Sequence, residues 1–348
     1  MKLTSANKYN SENIKSIELL DKYFLINWHV TGWCNYHCPY CINKALEGRY
    51  IPEEKVLELA EHMNKFILEQ VPSDKKIQLR LIGGEPAFYD WIKILDKFER
   101  LDRITMITNF SKDNQFFKDL YEYCYSRKIF CYLICSWHEE NLNFRDKFIE
   151  LNNWIKEPYQ RNRKFQYPQL MLLADKDFNE ETLNQYTKYG INKIRVSIMR
   201  DVNQNHIKLT QEQLDLIENW NNGYEERTNK IYIEKGWVGK KGFKVTFNDG
   251  TEEFFVNQSH LTNLMDDGFN PNNFRCTSGK DTLTCLPDGK VTLNKCDFLK
   301  DKVIGNFLQD NVKYSATDVI CNLNSDGSGI KKCPLCFATS VFRNLKGN

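Results

Sequence analysis

From Phe24 to Met199, short apolar runs alternate with longer stretches whose apolar residues recur at three and four. The first run, Phe24–Val30 (FLINWHV), reads as a buried strand. Pro52–Glu69 has apolar residues at helical spacing, acids in its first turn and a proline at its start, which predicts a helix. The alternation repeats. Strands are predicted at Ile77–Ile82, Ile104–Thr108, Ile129–Cys135, Gln169–Ala174 and Lys193–Met199. Helices are predicted after Pro86 to about Arg100, then at Asn114–Ser126, Phe144–Ile155, Glu180–Tyr189 and Gln211–Asn221. Strand-then-helix units imply parallel strands joined by right-handed crossovers. Six such units rather than eight predict an α/β fold, a partial (βα)6 TIM-like barrel. Reactive groups of such a fold gather at the C-terminal ends of its strands.

The period changes after Asn221. Lys230–Glu234, Phe243–Phe247 and Glu253–Val256 read as strands, the last two joined by the turn Asn248-Asp249-Gly250. Leu283–Leu286 and Val291–Leu293 flank Pro287-Asp288-Gly289 as a second hairpin, set among cysteines. The expected organisation is a barrel core over 1–221, a β-rich bridging segment or insertion over 222–275, and a small β-rich, cysteine-containing domain over 276–348.

A length of 348 residues accommodates one large and one small domain. Lys+Arg 48 against Asp+Glu 46 leaves +2, so bulk charge makes no case for nucleic acid or an anionic membrane. The polar N-terminus lacks the apolar core of a signal peptide, and no segment approaches the ~18 apolar residues of a spanning helix. The expected location is the cytoplasm. In that reducing compartment the 12 cysteines, grouped in three places, read as metal ligands rather than disulfides. The middle group is the exception: Cys124 in a helical pattern and Cys131 and Cys135 on one strand face read as small buried hydrophobes.

Directly after the first strand stands Cys34-Asn-Tyr-His-Cys38-Pro-Tyr-Cys41. Three thiolates on one loop can hold three corners of a four-iron cluster and leave the fourth iron open, whereas clusters kept for structure or electron transfer normally have four protein ligands. An open metal position marks a site where something binds and reacts. The competing reading is zinc, which usually needs a second Cys or His pair; the nearby candidate is His37. Gly83-Gly84-Glu85-Pro86 follows the second strand, Thr108-Asn109 ends the third and Ser136-Trp137-His138 ends the fourth. All four segments are predicted on one rim.

Thr31, Cys34, Asn35, Cys38, Tyr40 and Cys41, in that order, resemble the cluster loop of the radical S-adenosylmethionine (SAM) enzymes. The resemblance implies a [4Fe-4S] cluster whose open iron is chelated by SAM, and reductive cleavage of SAM to a radical that abstracts hydrogen from substrate. It implies that Gly83, Gly84, Glu85 and Pro86 hold the methionine amino group, with Glu85 as the acid, and that Tyr40 lies beside the adenine. Ser136 becomes a ribose contact and Ser197 a weaker one, with Val196 and Ile198 near the adenine. Asn35 reads as a loop-stabilising hydrogen-bonder. Thr108 and Asn109 are either rim contacts or a plain strand cap. Cys34, Cys38, Cys41 and His138 are the candidate catalytic residues. For His138, contact with SAM or substrate, an acid–base role and a structural role stay open.

The last quarter holds Cys276, Cys285, Cys296, Cys321, Cys333 and Cys336 around the second hairpin. This order resembles the auxiliary-cluster extension called SPASM or, in its shorter form, Twitch. Four thiolates ligate one cluster fully, so six cysteines fit one auxiliary [4Fe-4S] cluster, with Cys276, Cys296, Cys333 and Cys336 as expected ligands. A zinc knuckle on the same sulfurs, and a ligand role for Cys285 or Cys321, stay open.

The expected activity is therefore that of a radical SAM enzyme, an oxidoreductase or peptide-modifying enzyme, acting on a peptide or protein. Dehydrogenation or epimerisation of a small sugar or cyclitol is the alternative. A non-catalytic zinc scaffold is the alternative of another class. An electron donor such as flavodoxin or ferredoxin is the expected partner. The 23 residues before the first predicted strand are too few for a peptide-recognition domain.

Overall fold

The computed structural model describes residues 9, 12–20, 23–41, 50–138, 141–161, 167–199, 206–234, 242–255, 274–276, 279–293, 303–315, 319–320 and 342–344. In chain order they form β1 (Ile14–Leu19), β2 (Tyr23–Thr31), α1 (Glu53–Gln70), β3 (Lys76–Gly83), α2 (Trp91–Leu95), β4 (Arg103–Thr108), α3 (Asn114–Ser126) and β5 (Phe130–Ser136). There follow α4 (Phe144–Arg161), β6 (Gln169–Ala174), α5 (Glu180–Thr187), β7 (Ile194–Ile198) and α6 (Gln211–Glu234). The remainder is β8 (Phe243–Phe247), β9 (Glu252–Phe255), β10 (Phe274–Cys276), β11 (Thr282–Cys285), β12 (Lys290–Thr292), β13 (Gly305–Asn306), β14 (Val319–Ile320) and β15 (Phe342–Asn344).

Strands β2 to β7 lie side by side in sequence order, every neighbouring pair parallel, as the six predicted units require. Their alternate residues build two unlike faces. Phe24, Ile26, Trp28 and Val30 of β2, with Ile77, Leu79 and Leu81 of β3, are buried in the main core. α1 covers them with Val56, Leu59, Ala60, Met63, Phe66 and Ile67, spaced at three and four. Each such fully buried aliphatic or aromatic side chain contributes about 1.5–3 kcal/mol. α1 begins after Pro52 with Glu53 and Glu54, whose charges suit the positive end of the helix dipole, and it stops at the extended Val71 before Pro72. The opposite, inner face of the sheet is mixed: Asn27, Gln78, Thr105 and Gln169 are buried there beside Leu25 and Ile82.

The larger sheet extends past β2 in the order β13-β12-β11-β2. β11 runs parallel to β2, with Thr282 opposite Leu25 and Cys285 opposite Trp28. The second hairpin is thus part of the barrel sheet. Phe307, in a short 3-10 turn, rests on Phe66 of α1 with ring centroids 5.4 Å apart, and Tyr314 lies 5.9 Å from Phe24. Lys75 donates to Lys280 O at 2.7 Å and pairs with Asp281.

A smaller antiparallel sheet has the order β14-β10-β15-β1-β8-β9. Its β1 precedes the first strand expected from the sequence and pairs with β8 and β15. Two element predictions need correction. The helix expected from Pro86 to about Arg100 is a 3-10 turn, Pro86–Phe88, and the five-residue α2, because Asp90 caps a new start by accepting from Lys93 N. The strand expected at Lys230–Glu234 is the last part of α6, which runs on without a break beyond Asn221. Cys124, Cys131 and Cys135 are buried in the core, as expected of small hydrophobes. Among the described residues, no helix is long and apolar enough to cross a membrane.

Candidate active site

β2 ends at Thr31, whose Oγ1 accepts from Trp33 N at 3.1 Å and turns the chain into the cysteine loop. The end of β3 is sewn to that loop backbone to backbone. Gly84 N donates to Thr31 O at 2.7 Å and Glu85 N to Trp33 O at 2.9 Å. A Cβ on Gly83 would lie 2.3 Å from Thr31 O, and one on Gly84 2.0 Å from Trp33 O; Gly83 also has φ +129°. The two glycines are therefore required by the cysteine loop itself, where the sequence suggested only close approach to a ligand.

Glu85 is 0% exposed and accepts three hydrogen bonds: from Ala87 N at 2.8 Å, Thr108 Oγ1 at 2.7 Å and Asn109 N at 2.6 Å. Burial outweighs these donors and pushes its carboxyl up to about 7. Its visible work is to tie the end of β3 to the end of β4, so Thr108 is a partner of Glu85 rather than a plain strand cap. Asn109 continues the tie. Its Nδ2 donates to Asn35 Oδ1 at 2.7 Å and lies 3.5 Å from Cys34 Sγ. Tyr36 N also donates to Cys34 Sγ, at 3.4 Å. Burial raises the Cys34 thiol, while these two N–H groups oppose the shift.

On the other side of the loop, His138 Nδ1 lies 3.3 Å from Cys38 Sγ and 3.2 Å from the Tyr40 hydroxyl. The Tyr40 and His138 rings are parallel within 3°. Ser136 ends β5 on the inner face and is half-buried. Ser197 donates to Met171 Sδ at 3.3 Å on the far strands β6 and β7. Val196 points the other way, into the outer core, and so does not share a face with Ser197. Pro86 opens the 3-10 turn, and its carbonyl accepts from Trp91 Nε1 at 2.8 Å.

The structure thus brings Cys34, Cys38, Tyr40, Cys41, Gly83, Gly84, Glu85, Pro86, Asn109 and His138 to one rim, linked by the contacts above, with Cys41 N donating to Cys38 O at 3.1 Å. Ser197 stands apart from them. Of the expected auxiliary ligands, Cys276 is described by its backbone in β10, while Cys296, Cys333 and Cys336 lie outside the described residues, as does Cys321. Cys285 is fully buried in β11 beside β2, and burial raises its thiol well above its ordinary value.

Among the described residues, no three His, Cys, Asp or Glu side chains converge on one ion, and His37 is exposed. Three unbridged cysteines share one short loop, and two N–H donors aimed at Cys34 Sγ favour its thiolate form. Sequence reading missed the contact of His138 with Cys38, because it joins residues 100 apart. It also missed Arg80 and Arg103 on the inner face, although a charge in the apolar run IQLRLI was visible.

No protein-family model matches the chain. Two curated relatives are named S-adenosylmethionine-dependent nucleotide dehydratase. One, from Fibrobacter sp. (strain UWH6), is 33% identical over 102 residues, 28% of each chain. The other, from Psychrobacter lutiphocae, is 27% identical over 114 residues, 30% of this chain and 38% of that one. The chain is similar to radical SAM enzymes. It spans about a third of the length of the curated relatives it matches. Solved structures with a similar chain path include Streptococcus suis SuiB bound to precursor peptide SuiA, at 14% identity, 90% of this chain, 68% of that chain and a TM-score of 0.49. Another is anSMEcpe with bound AdoMet, at 13% identity, 90% and 88% coverage and a TM-score of 0.46.

Proposed function

We propose that this protein is a radical SAM enzyme. The observation that carries the reading is the joining of the cysteine loop after β2, the Gly83–Pro86 segment after β3 and Asn109 after β4 by direct hydrogen bonds on one rim. Cys34, Cys38 and Cys41 would hold a [4Fe-4S] cluster, and Tyr40, Gly83, Gly84, Glu85, Pro86, Asn109, Ser136 and Ser197 are the residues assigned to SAM. When bound, cluster and cofactor supply reductive cleavage of the SAM sulfonium and a radical that takes hydrogen from substrate.

The protein's part is placement and charge. The N–H groups of Tyr36 and Asn109 stabilise a thiolate on Cys34. With a proton on Nδ1, His138 would donate towards Cys38 Sγ, and its ring lies parallel to that of Tyr40. Glu85 locks the ends of β3 and β4, so the rim holds its shape before any ligand arrives. A flavodoxin or ferredoxin is the proposed electron donor. The domain from residue 276 is proposed to carry one auxiliary [4Fe-4S] cluster on Cys276, Cys296, Cys333 and Cys336, beyond a bridging segment at 222–275.

Two readings of the substrate stand. A peptide or protein is the one drawn from the sequence. A small polar molecule, whether sugar, cyclitol or nucleotide, is favoured by the polar residues buried on the inner face and by the nucleotide in the relatives' names. The deciding experiment is anaerobic incubation of the reconstituted protein with SAM and dithionite. 5′-Deoxyadenosine is expected from the wild type and not from Cys34→Ala, Cys38→Ala or Cys41→Ala; its persistence in these variants would sink the assignment. Changing Cys333 and Cys336 to Ala should spare SAM cleavage and lower substrate turnover.

A further inference from the structure

The inner face of the barrel is charged in one sense. On β2 to β7 the residues that alternate with the outer core include Lys76, Arg80, Arg103 and Arg195 and no Asp or Glu, in a chain of formal net charge only +2. Arg80 sits between Leu79 and Leu81, which are buried in the outer core, so it belongs to the inner face. It lies opposite Asn27 on β2 and Thr105 on β4, and Thr105 lies opposite Tyr132 on β5. Arg103 is one layer lower, beside Gln78.

Among the described residues, neither arginine is paired with a carboxylate. Among the described residues Arg80 makes no hydrogen bond or ion pair, and the charged group that acts on it is the guanidinium of Arg103. Burial first, then that neighbour, pushes the Arg80 charge down to about 10. Arg103 Nε is buried without a hydrogen-bond partner. Its guanidinium lies between the rings of Tyr23 and Phe130, at 4.5 and 4.8 Å, which hold the plane in place. A guanidinium drawn out of water with a like charge beside it costs stability. A fold that keeps such a pair, with Arg103 held between two rings and amide and hydroxyl residues in register beside both, is arranged for an anion with several oxygens.

Position adds to this. Arg80 is three residues before Gly83, which at ~3.3 Å per residue puts it roughly 10 Å below the rim. A ligand whose anionic end lies at Arg80 has its other end at the cysteine loop.

We infer that Arg80 and Arg103 form an anion clamp inside the barrel, which grips a phosphate or carboxylate of the substrate and so decides which end of it reaches the rim. The clamp deepens the small-molecule reading and rests on the radical SAM reading for what happens at the rim.

The test is thermal unfolding of the full-length protein with inorganic pyrophosphate and, separately, succinate. Wild type is compared with Arg80→Met, Arg103→Met and the charge-keeping Arg80→Lys. An anion should raise the wild-type midpoint, and its apparent dissociation constant should weaken at least tenfold in both Met variants and less in Arg80→Lys. Without anion, Arg80→Met should unfold at a higher temperature than wild type, since an unpaired charge has gone; this arm does not depend on a fragile variant. A shift with succinate alone makes the group a carboxylate and keeps the clamp. No shift with either anion, or equal shifts in wild type and both Met variants, overturns it. 5′-Deoxyadenosine formation by the wild type, measured separately, decides the rim reading, so the two fail independently.

Discussion

Glu85 shows how one buried side chain couples geometry to pH. Its folded value of about 7 lies above its ordinary value of 4.5, so the folded state holds the proton more tightly than the unfolded chain does. The stability this contributes is complete below about 4.5 and is lost as pH rises through about 7, a change on the order of 3 kcal/mol. Denaturant unfolding at pH 5 and pH 8 should therefore show a larger loss for wild type than for Glu85→Gln, and equal losses would refute the assignment. Gly83 makes a harder demand. Gly83→Ala places a methyl against Thr31 O at a φ that L residues rarely adopt, and should cost about 1–3 kcal/mol or more in urea unfolding. At this scale the cysteine loop was plain from spacing alone, because three thiols in eight residues are a local pattern. The His138 contact and the reason for two glycines were not, since both depend on what another segment brings alongside.

At the scale of elements, the hairpin extension is held on α1 by the buried Phe307 and Val312, by two hydrogen bonds to Gln70 and by surface ions. Phe307 is 1% exposed against Phe66, and Phe307→Ala should cost about 3–5 kcal/mol. Asp310 pairs with His62 and Lys65 at 2.7 Å in exposed positions, and Asp310→Asn should leave the unfolding midpoint almost unmoved. A reversed order in the two urea midpoints would show that ions, not packing, dock the extension. The barrel strands and α3 were legible because their periods are strong and unbroken. The stretch after Pro86 was not, because the cap at Asp90 restarts a helix that periodicity alone runs together. The end of α6 misled for the opposite reason: β-branched and aromatic residues in Lys230–Glu234 read as a strand, and a helix already under way carried them.

For the whole molecule, the decisive pairing is β11 with β2, two strands more than 250 residues apart. It gives the barrel's first strand a partner on its open side and buries Thr282, Leu283, Thr284 and Cys285. A chain ending before residue 276 would expose the backbone edge of β2 and the aromatic surface of Phe24 and Phe66. It should aggregate or lose cooperative unfolding, as read by gel filtration and circular dichroism. Cooperative unfolding of a soluble, truncated chain would show instead that the barrel stands without its extension.

The sequence by itself determined what short-range physics controls: the period of each strand and helix, the parallel order of six units, the cysteine spacing and the turn at Pro287-Asp288-Gly289. Only the tertiary structure decided what crosses long stretches of chain. The second hairpin joined the barrel sheet, β1 paired with β8 and β15, and Arg80, Arg103 and Arg195 came together on the inner face of β3, β4 and β7. Periodicity says which face of an element is apolar, but not which distant surface will cover it. That choice is set by competition among all the buried surfaces at once, with loop closure adding only slowly to the cost of distance.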